Sequence, residues 1–133
     1  MVPAGNANAE MLDNNELSQN ATVQAEQVVN MIEIVFEPLE SIVPGIVDKM
    51  IDIGDCESGL NQLRPNRTLI VNPDPNSSAA GVFQILLITH KPDYQRENLN
   101  PAEVADNIQF ARFMVERKIG QGRNNVYEDW VCA

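Results

Sequence analysis

The chain has 133 residues, enough for one compact domain; 44% are apolar but only 5% aromatic, so Leu, Ile, Val and Met must fill most of the core. Nineteen acids against nine bases give a formal charge of −10, which excludes the basic surface that nucleic acid or an anionic membrane requires. The charge is uneven: residues 1–56 hold ten of the acids and a single base, Lys49, while residues 57–133 are nearly neutral, an asymmetry typical of a partner-facing segment beside a folded unit.

Residues 1–21 are rich in Asn, Ala and Glu and show no hydrophobic period, so they read as a disordered or extended acidic tail. Ala7-Asn8-Ala9 before Glu10 looks like the small-residue end of a signal cleavage site with no apolar stretch before it, at most a hint of a trimmed signal; export stays open between that, a signal-less route and a virion or lysis system. From Thr22 the period becomes helical, with Val23, Gln27, Val28, Met31, Ile32, Val35 and Phe36 recurring every three or four residues until Pro38 ends the run. Residues 22–43 are therefore expected to form an amphipathic helical segment, facing a partner or packed on the domain, and residues 1–43 are the place for a protein partner. The apolar stretch Val28–Ile53 is broken by Glu33, Glu37, Glu40, Asp48, Lys49 and Asp52 and should not span a bilayer.

A second helix is expected from Pro44, with Ile46, Val47, Met50, Ile51 and Ile53 as its apolar face, running into Gly54-Asp55-Cys56-Glu57. The period then changes. Asn61–Arg64 and Arg67–Val71 around Pro65-Asn66 predict a hairpin, Asn72–Ser78 is turn chemistry throughout, and Ala79–Ile85 should lead into a helix ending before Lys91-Pro92. In the last long helix Asn100 is the expected cap, Pro101 sits at N1 and Glu103 at N3, the buried stripe is Val104, Ile108, Ala111, Met114, Val115 and Ile119, and Gly120 and Gly122 stop it. A final turn over Tyr127–Val131 carries Trp130. Helices, a small hairpin, then helices make an α+β chain.

Counting alone leaves Cys56 and Cys132 open between a disulfide and two free thiols. Two cysteines and one histidine at these separations do not make a metal site, no cofactor motif is present, and His90 reads as a helix-end residue and not a ligand. The three Asn-x-Ser/Thr sites, at Asn20, Asn66 and Asn76, are expected by chance in an Asn-rich chain.

Glu57-Ser58-Gly59 at a helix end, a small hairpin, then Gly81-Val82-Phe83-Gln84-Ile85 resembles the signature order of the lytic transglycosylase branch of the lysozyme superfamily. Cys56 directly before the glutamate and Trp130-Val131-Cys132 near the end resemble the small secreted forms, including resuscitation-promoting factors; Asn107-x-x-x-Ala111-Arg112 resembles the Asn-bearing helix behind the cleft. The resemblance covers about residues 45–133 and lacks the Tyr-Asn-Ala-Gly motif of many lytic transglycosylases, with Tyr127 and Trp130 in the comparable region.

The resemblance implies a lysozyme-like catalytic domain over residues 44–133, mostly helical with a small β-hairpin beside the cleft. It implies cleavage of the β-1,4 bond between N-acetylmuramic acid and N-acetylglucosamine in peptidoglycan, with Glu57 as catalytic acid and no cofactor. Ser58, Phe83, Gln84, Asn107, Tyr127 and Trp130 become the expected glycan-contacting residues, although Ser58 equally reads as a support and Gln84 as an amide tying the hairpin to the helix. Asp74 is the candidate second carboxylate, in a segment that also reads as a plain turn. The resemblance further implies a Cys56–Cys132 disulfide and an extracellular, periplasmic or virion-associated setting. Such cleavage needs a proton on the leaving oxygen, and Ile53, Leu60, Val82 and Phe83 are the expected apolar surroundings of the acid. The alternatives are a virion- or wall-associated structural protein with little activity, and a chitin- or chitosan-type hydrolase.

Overall fold

The computed structural model describes the backbone of residues 14–133 and side chains from Gln24 onward. It is helix-dominated, with one small antiparallel sheet: α1 (Asn14–Phe36), a 3-10 turn (Glu37–Leu39), α2 (Ile46–Ser58), β1 (Ala79–Ala80), β2 (Ile85–Leu86), α3 (Lys91–Arg96) and α4 (Val104–Gly120).

Helix α1 begins by Asn14, eight residues before the helical period becomes legible at Thr22; the first thirteen residues of the expected acidic tail lie outside the described residues. Val28, Ile32 and Phe36, four apart on one stripe, are at most 1% exposed, each side chain contributing about 1.5–3 kcal/mol by burial. They join α2 and α4 in a single core with Ile46, Met50, Ile53, Ile108, Phe110 and Val115. The segment is thus packed on the rest of the chain. Pro38 sits inside the 3-10 turn that ends α1, as its missing N–H demands.

Gly45, the N-cap of α2, has no side chain to offer the orphan amides of the first turn. Glu40 does this from outside, its carboxylate accepting from Gly45 N at 2.9 Å and Val47 N at 2.7 Å, where negative charge also suits the helix dipole. At the other end Gly59 takes the left-handed conformation (φ +66°). Its N–H bonds Asp55 O at 2.7 Å, the αL cap, and Leu60 N bonds Gly54 O at 3.2 Å.

The expected hairpin is present in reduced form. Leu63 and Leu69 make one antiparallel bridge, Arg64 N donates to Thr68 O at 2.7 Å, and Val71 bridges onward to Ala80. Residues 79–86 correct the sequence expectation. Instead of opening a helix they form the β1–β2 hairpin, Ala79 opposite Leu86 and Ala80 opposite Ile85. Gly81 (φ +78°) and Gln84 (φ +47°) both lie in the left-handed region, which a continuing helix forbids. The next helix starts at Lys91, with Pro92 in its first turn, so this proline opens a helix that it was expected to follow.

Helix α4 starts at Val104, later than the Asn100 cap predicts, because Glu103 is extended (φ −91°, ψ 141°). Asn100 still accepts from Ala102 N at 3.2 Å, and Asp106, not Glu103, reaches back to Asn100 N at 2.9 Å. The α4 stripe is as expected, with Ile108, Ala111, Met114 and Val115 buried; Gln121 caps the helix and Gly122 (φ +68°) follows. No helix among the described residues is long and apolar enough to cross a membrane.

Candidate active site

Glu57 lies in the last turn of α2, half-buried, next to Cys56. Cys56 is bonded to Cys132, with Cα atoms 5.9 Å apart. The disulfide is therefore present, and it fits an oxidising compartment. It closes 76 positions of sequence, removing about 4–5 kcal/mol of unfolded-state entropy on the chain-entropy account. It also carries the C-terminal strand of chain to the glutamate: Cys132 N donates to Glu57 Oε2 across a long 3.4 Å. Among the described residues the carboxylate makes no ion pair.

The chain leaves Glu57 through a tight reversal. Ser58 Oγ lies 2.8 Å from Val82 O and 3.1 Å from Gly54 O as donor, and accepts from Asn61 N at 3.2 Å. These bonds use the hydroxyl to join the helix end to the β1–β2 turn, as a supporting residue does. Leu60 is held at φ +62°, a conformation costing a residue with a Cβ about 1–2 kcal/mol. Of the expected apolar surroundings, Leu60, Val82 and Phe83 crowd the backbone of Gly54, where a Cβ would stand 3.1–3.5 Å from them, and Ile53 is fully buried.

Phe83 and Asn107 are 0% exposed and Trp130 is 6% exposed, so these three stand behind the surface and support it. Asn107 Oδ1 accepts from Phe83 N at 2.9 Å, while its Nδ2 donates to Ala80 O at 3.0 Å and Pro101 O at 2.8 Å. Trp130 Nε1 donates to Phe83 O at 2.9 Å. Both polar groups of Phe83 are thereby fixed, and with them the turn that carries Gln84. Gln84 is half-buried, its Nε2 donating to Gly81 O at 3.0 Å; the side chain braces its own turn.

Asp74 is exposed and serves an Asx turn, taking Asn76 N on Oδ1 at 2.9 Å while its own N–H goes to Asn72 Oδ1 at 2.8 Å. Tyr127 is half-buried with the Lys49 ammonium 5.7 Å from its ring centre; burial, and then the charge of Glu40, push its phenol above the ordinary range. His90 lies tilted against Phe110 with ring centres 5.4 Å apart, and no cluster of His, Cys, Asp and Glu fit to hold a metal occurs among the described residues.

Two residues central to this region were passed over in the sequence. Gln62, 3% exposed, accepts from Val82 N at 2.9 Å and donates to Pro101 O and Ala102 O at 3.0 and 2.8 Å. Gln24 of α1 takes Gln62 N and Leu63 N on Oε1, both at 2.8 Å, and gives Nε2 to Leu63 O at 3.1 Å. Its amide stands in for a neighbouring strand at the hairpin edge. A glutamine on a helix reads as solvent-facing, so only its spacing of four from Val28 hinted at an inward position. A groove of about 410 Å³ runs beside this contact, between Met31 of α1, Leu63, Pro65, Arg67 and Glu103; Glu57 is not among its walls.

No protein-family model, no curated protein and no solved structure matches the chain.

Proposed function

We propose that the chain is a lysozyme-like glycosidase that cleaves peptidoglycan strands, with Glu57 as general acid and base, acting outside the cell, in a periplasm or on a virion. The observation that carries this reading is Glu57 itself: a half-buried carboxylate at a helix end, with no ion-pair partner among the described residues and one main-chain donor at 3.4 Å. A partly buried carboxylate at a helix end that is left out of every ion pair among the described residues is available for proton transfer. The backbone supports the same reading, with Leu60, three residues past Glu57, and Gln84, two residues past the Val82 that Ser58 touches, both in left-handed conformations.

In the reaction the Glu57 proton moves to the bridging oxygen as the bond from the sugar C1 to that oxygen breaks, the electron pair staying with the oxygen. The substrate's acetamido group stabilises the cation left at C1. The Glu57 carboxylate then takes a proton from the attacking hydroxyl, either the C6 hydroxyl of the same sugar, giving an anhydro end, or a water, giving a reducing end.

The test is digestion of purified peptidoglycan with mass spectrometry of the products, where the two outcomes differ by one water. Glu57→Gln should lower turnover by on the order of 10²–10⁴-fold with an unchanged melting temperature. Full activity in Glu57→Gln would overturn the assignment. Cleavage of chitin or chitosan in place of peptidoglycan would change the substrate class, and clearance of neither would leave a wall- or virion-associated structural protein.

A further inference from the structure

We propose that Val131–Ala133 is a redox-released clamp on Glu57, in which the main-chain N–H of Cys132 is the positioning group; this rests on the reading of Glu57 as the proton donor. The N–H faces Oε2. A donor held there occupies that oxygen whether the carboxyl is neutral or charged, and leaves Oε1 as the oxygen that carries and returns the proton. Because the donor is backbone, no side-chain change at position 132 short of proline removes it; otherwise only moving the chain does.

What keeps the chain there is the disulfide. The segment before it is anchored independently: Trp130 is buried and bonded to Phe83 O, Val126 is 8% exposed, and Glu128 and Asp129 pair with Lys118 at 3.1 and 3.5 Å. Beyond Trp130 the hold is slight. Val131 is 99% exposed and buries nothing, and among the described residues, besides the amide of Cys132, only Ala133 N makes a main-chain bond, to Trp130 O at 3.2 Å. Loss of the Cys56–Cys132 bond therefore frees three residues and leaves the core packed. Cys56 is solvent-exposed, so a reductant reaches the bond. A dithiol attacks one sulfur as its thiolate, the S–S bond breaks, and the second thiol closes on the first. Two electrons and two protons pass to Cys56 and Cys132, and the dithiol leaves as its own disulfide.

The experiment compares oxidised protein, protein reduced by dithiothreitol, and the Cys56→Ser/Cys132→Ser variant, which keeps the main-chain N–H but not the tether. Turnover on peptidoglycan is measured beside the emission of Trp130, the only tryptophan, as the monitor of folding. The expected result is blue-shifted emission in all three, kcat lower by about 10- to 100-fold without the bond, KM unchanged, and recovery on reoxidation of the reduced protein. Full kcat without the bond overturns the clamp, as does a red shift showing that reduction unfolds the chain. An NMR arm reads the contact without activity: the Cys132 amide shift should follow Glu57 protonation in oxidised protein and stay flat in Glu57→Gln. An amide that ignores Glu57 overturns the clamp. An amide that follows Glu57 in a protein that cleaves no glycan overturns the catalytic reading while the contact stands.

Discussion

Gln62 Nε2 and Asn107 Nδ2 both donate to the carbonyl oxygen of Pro101, at 3.0 and 2.8 Å. The two side chains come from the hairpin and from α4, and both also reach the 80–83 segment. One proline carbonyl thus joins the hairpin to α4, and through the same two side chains to residues 80–83. Losing either amide leaves buried amides and carbonyls without partners, each costing about 1–3 kcal/mol.

Asn107→Leu, which keeps the volume, is therefore expected to destabilise the fold by about 2–4 kcal/mol in chemical denaturation. Gln62→Leu should behave alike. The double variant should fall short of the sum by about 0.5–3 kcal/mol, since both amides share Pro101 O.

Gly81→Ala should be at least as damaging. A Cβ there would stand 2.4 Å from Asn107 Nδ2 and from Gln62 Oε1, at a φ of +78°. Left-handed strain and a broken hydrogen-bond set together predict a loss of about 2–5 kcal/mol, read as a lower denaturation midpoint with the same slope. A neutral effect would show that the two amides do not close on this glycine.

His90 makes the fold acid-sensitive. Burial, then the charge of Arg117, lowers its pKa below the ordinary 6.5, against the weaker pull of Asp129 and Asp93. The unfolded chain thus takes up the proton first. Stability from this group is complete above pH 6.5, falls as pH drops below it, and levels off once the folded form is protonated too. Thermal melts from pH 7.5 to 4.5 should show this slope in the wild type and a shallower one in His90→Gln.

Asp93 acts lower on the scale. The hydrogen bond from Arg117 at 2.9 Å, with Arg96 adding to it, holds its carboxyl below the ordinary 3.8. Its contribution is present above pH 3.8 and lost as pH falls through the folded value. Asp93→Asn should cost less than about 1 kcal/mol at neutral pH, since all three side chains are partly exposed, and should flatten the stability profile below pH 3.8. An unchanged acid limb would show that the pair does not form in solution.

The helices were legible in the sequence wherever period and punctuation agreed. Val28, Ile32 and Phe36 before Pro38, and Ile108 to Val115 before Gly122, fix one face and one end each. Residues 79–90 were not legible, because Ala79–Ile85 has the apolar density of a helix start. What decides it is the left-handed turn at Gly81 and Gln84, which depends on Gln62 and Asn107 some 20 and 24 positions away in sequence. Polar side chains that serve distant backbone carry no periodic signal. The same holds for Glu40, whose service to Gly45 and Val47 replaces a cap that the glycine lacks.

The Cys56–Cys132 bond also makes a covalent ring of nearly the whole second half of the chain. The exposed stretch Val71–Asn76 is the natural place for a protease to cut. One cut there opens the ring without releasing a fragment, so the nicked molecule keeps its pieces joined until the bond is reduced. A single cleavage then leaves a repairable packing fault instead of two separate peptides.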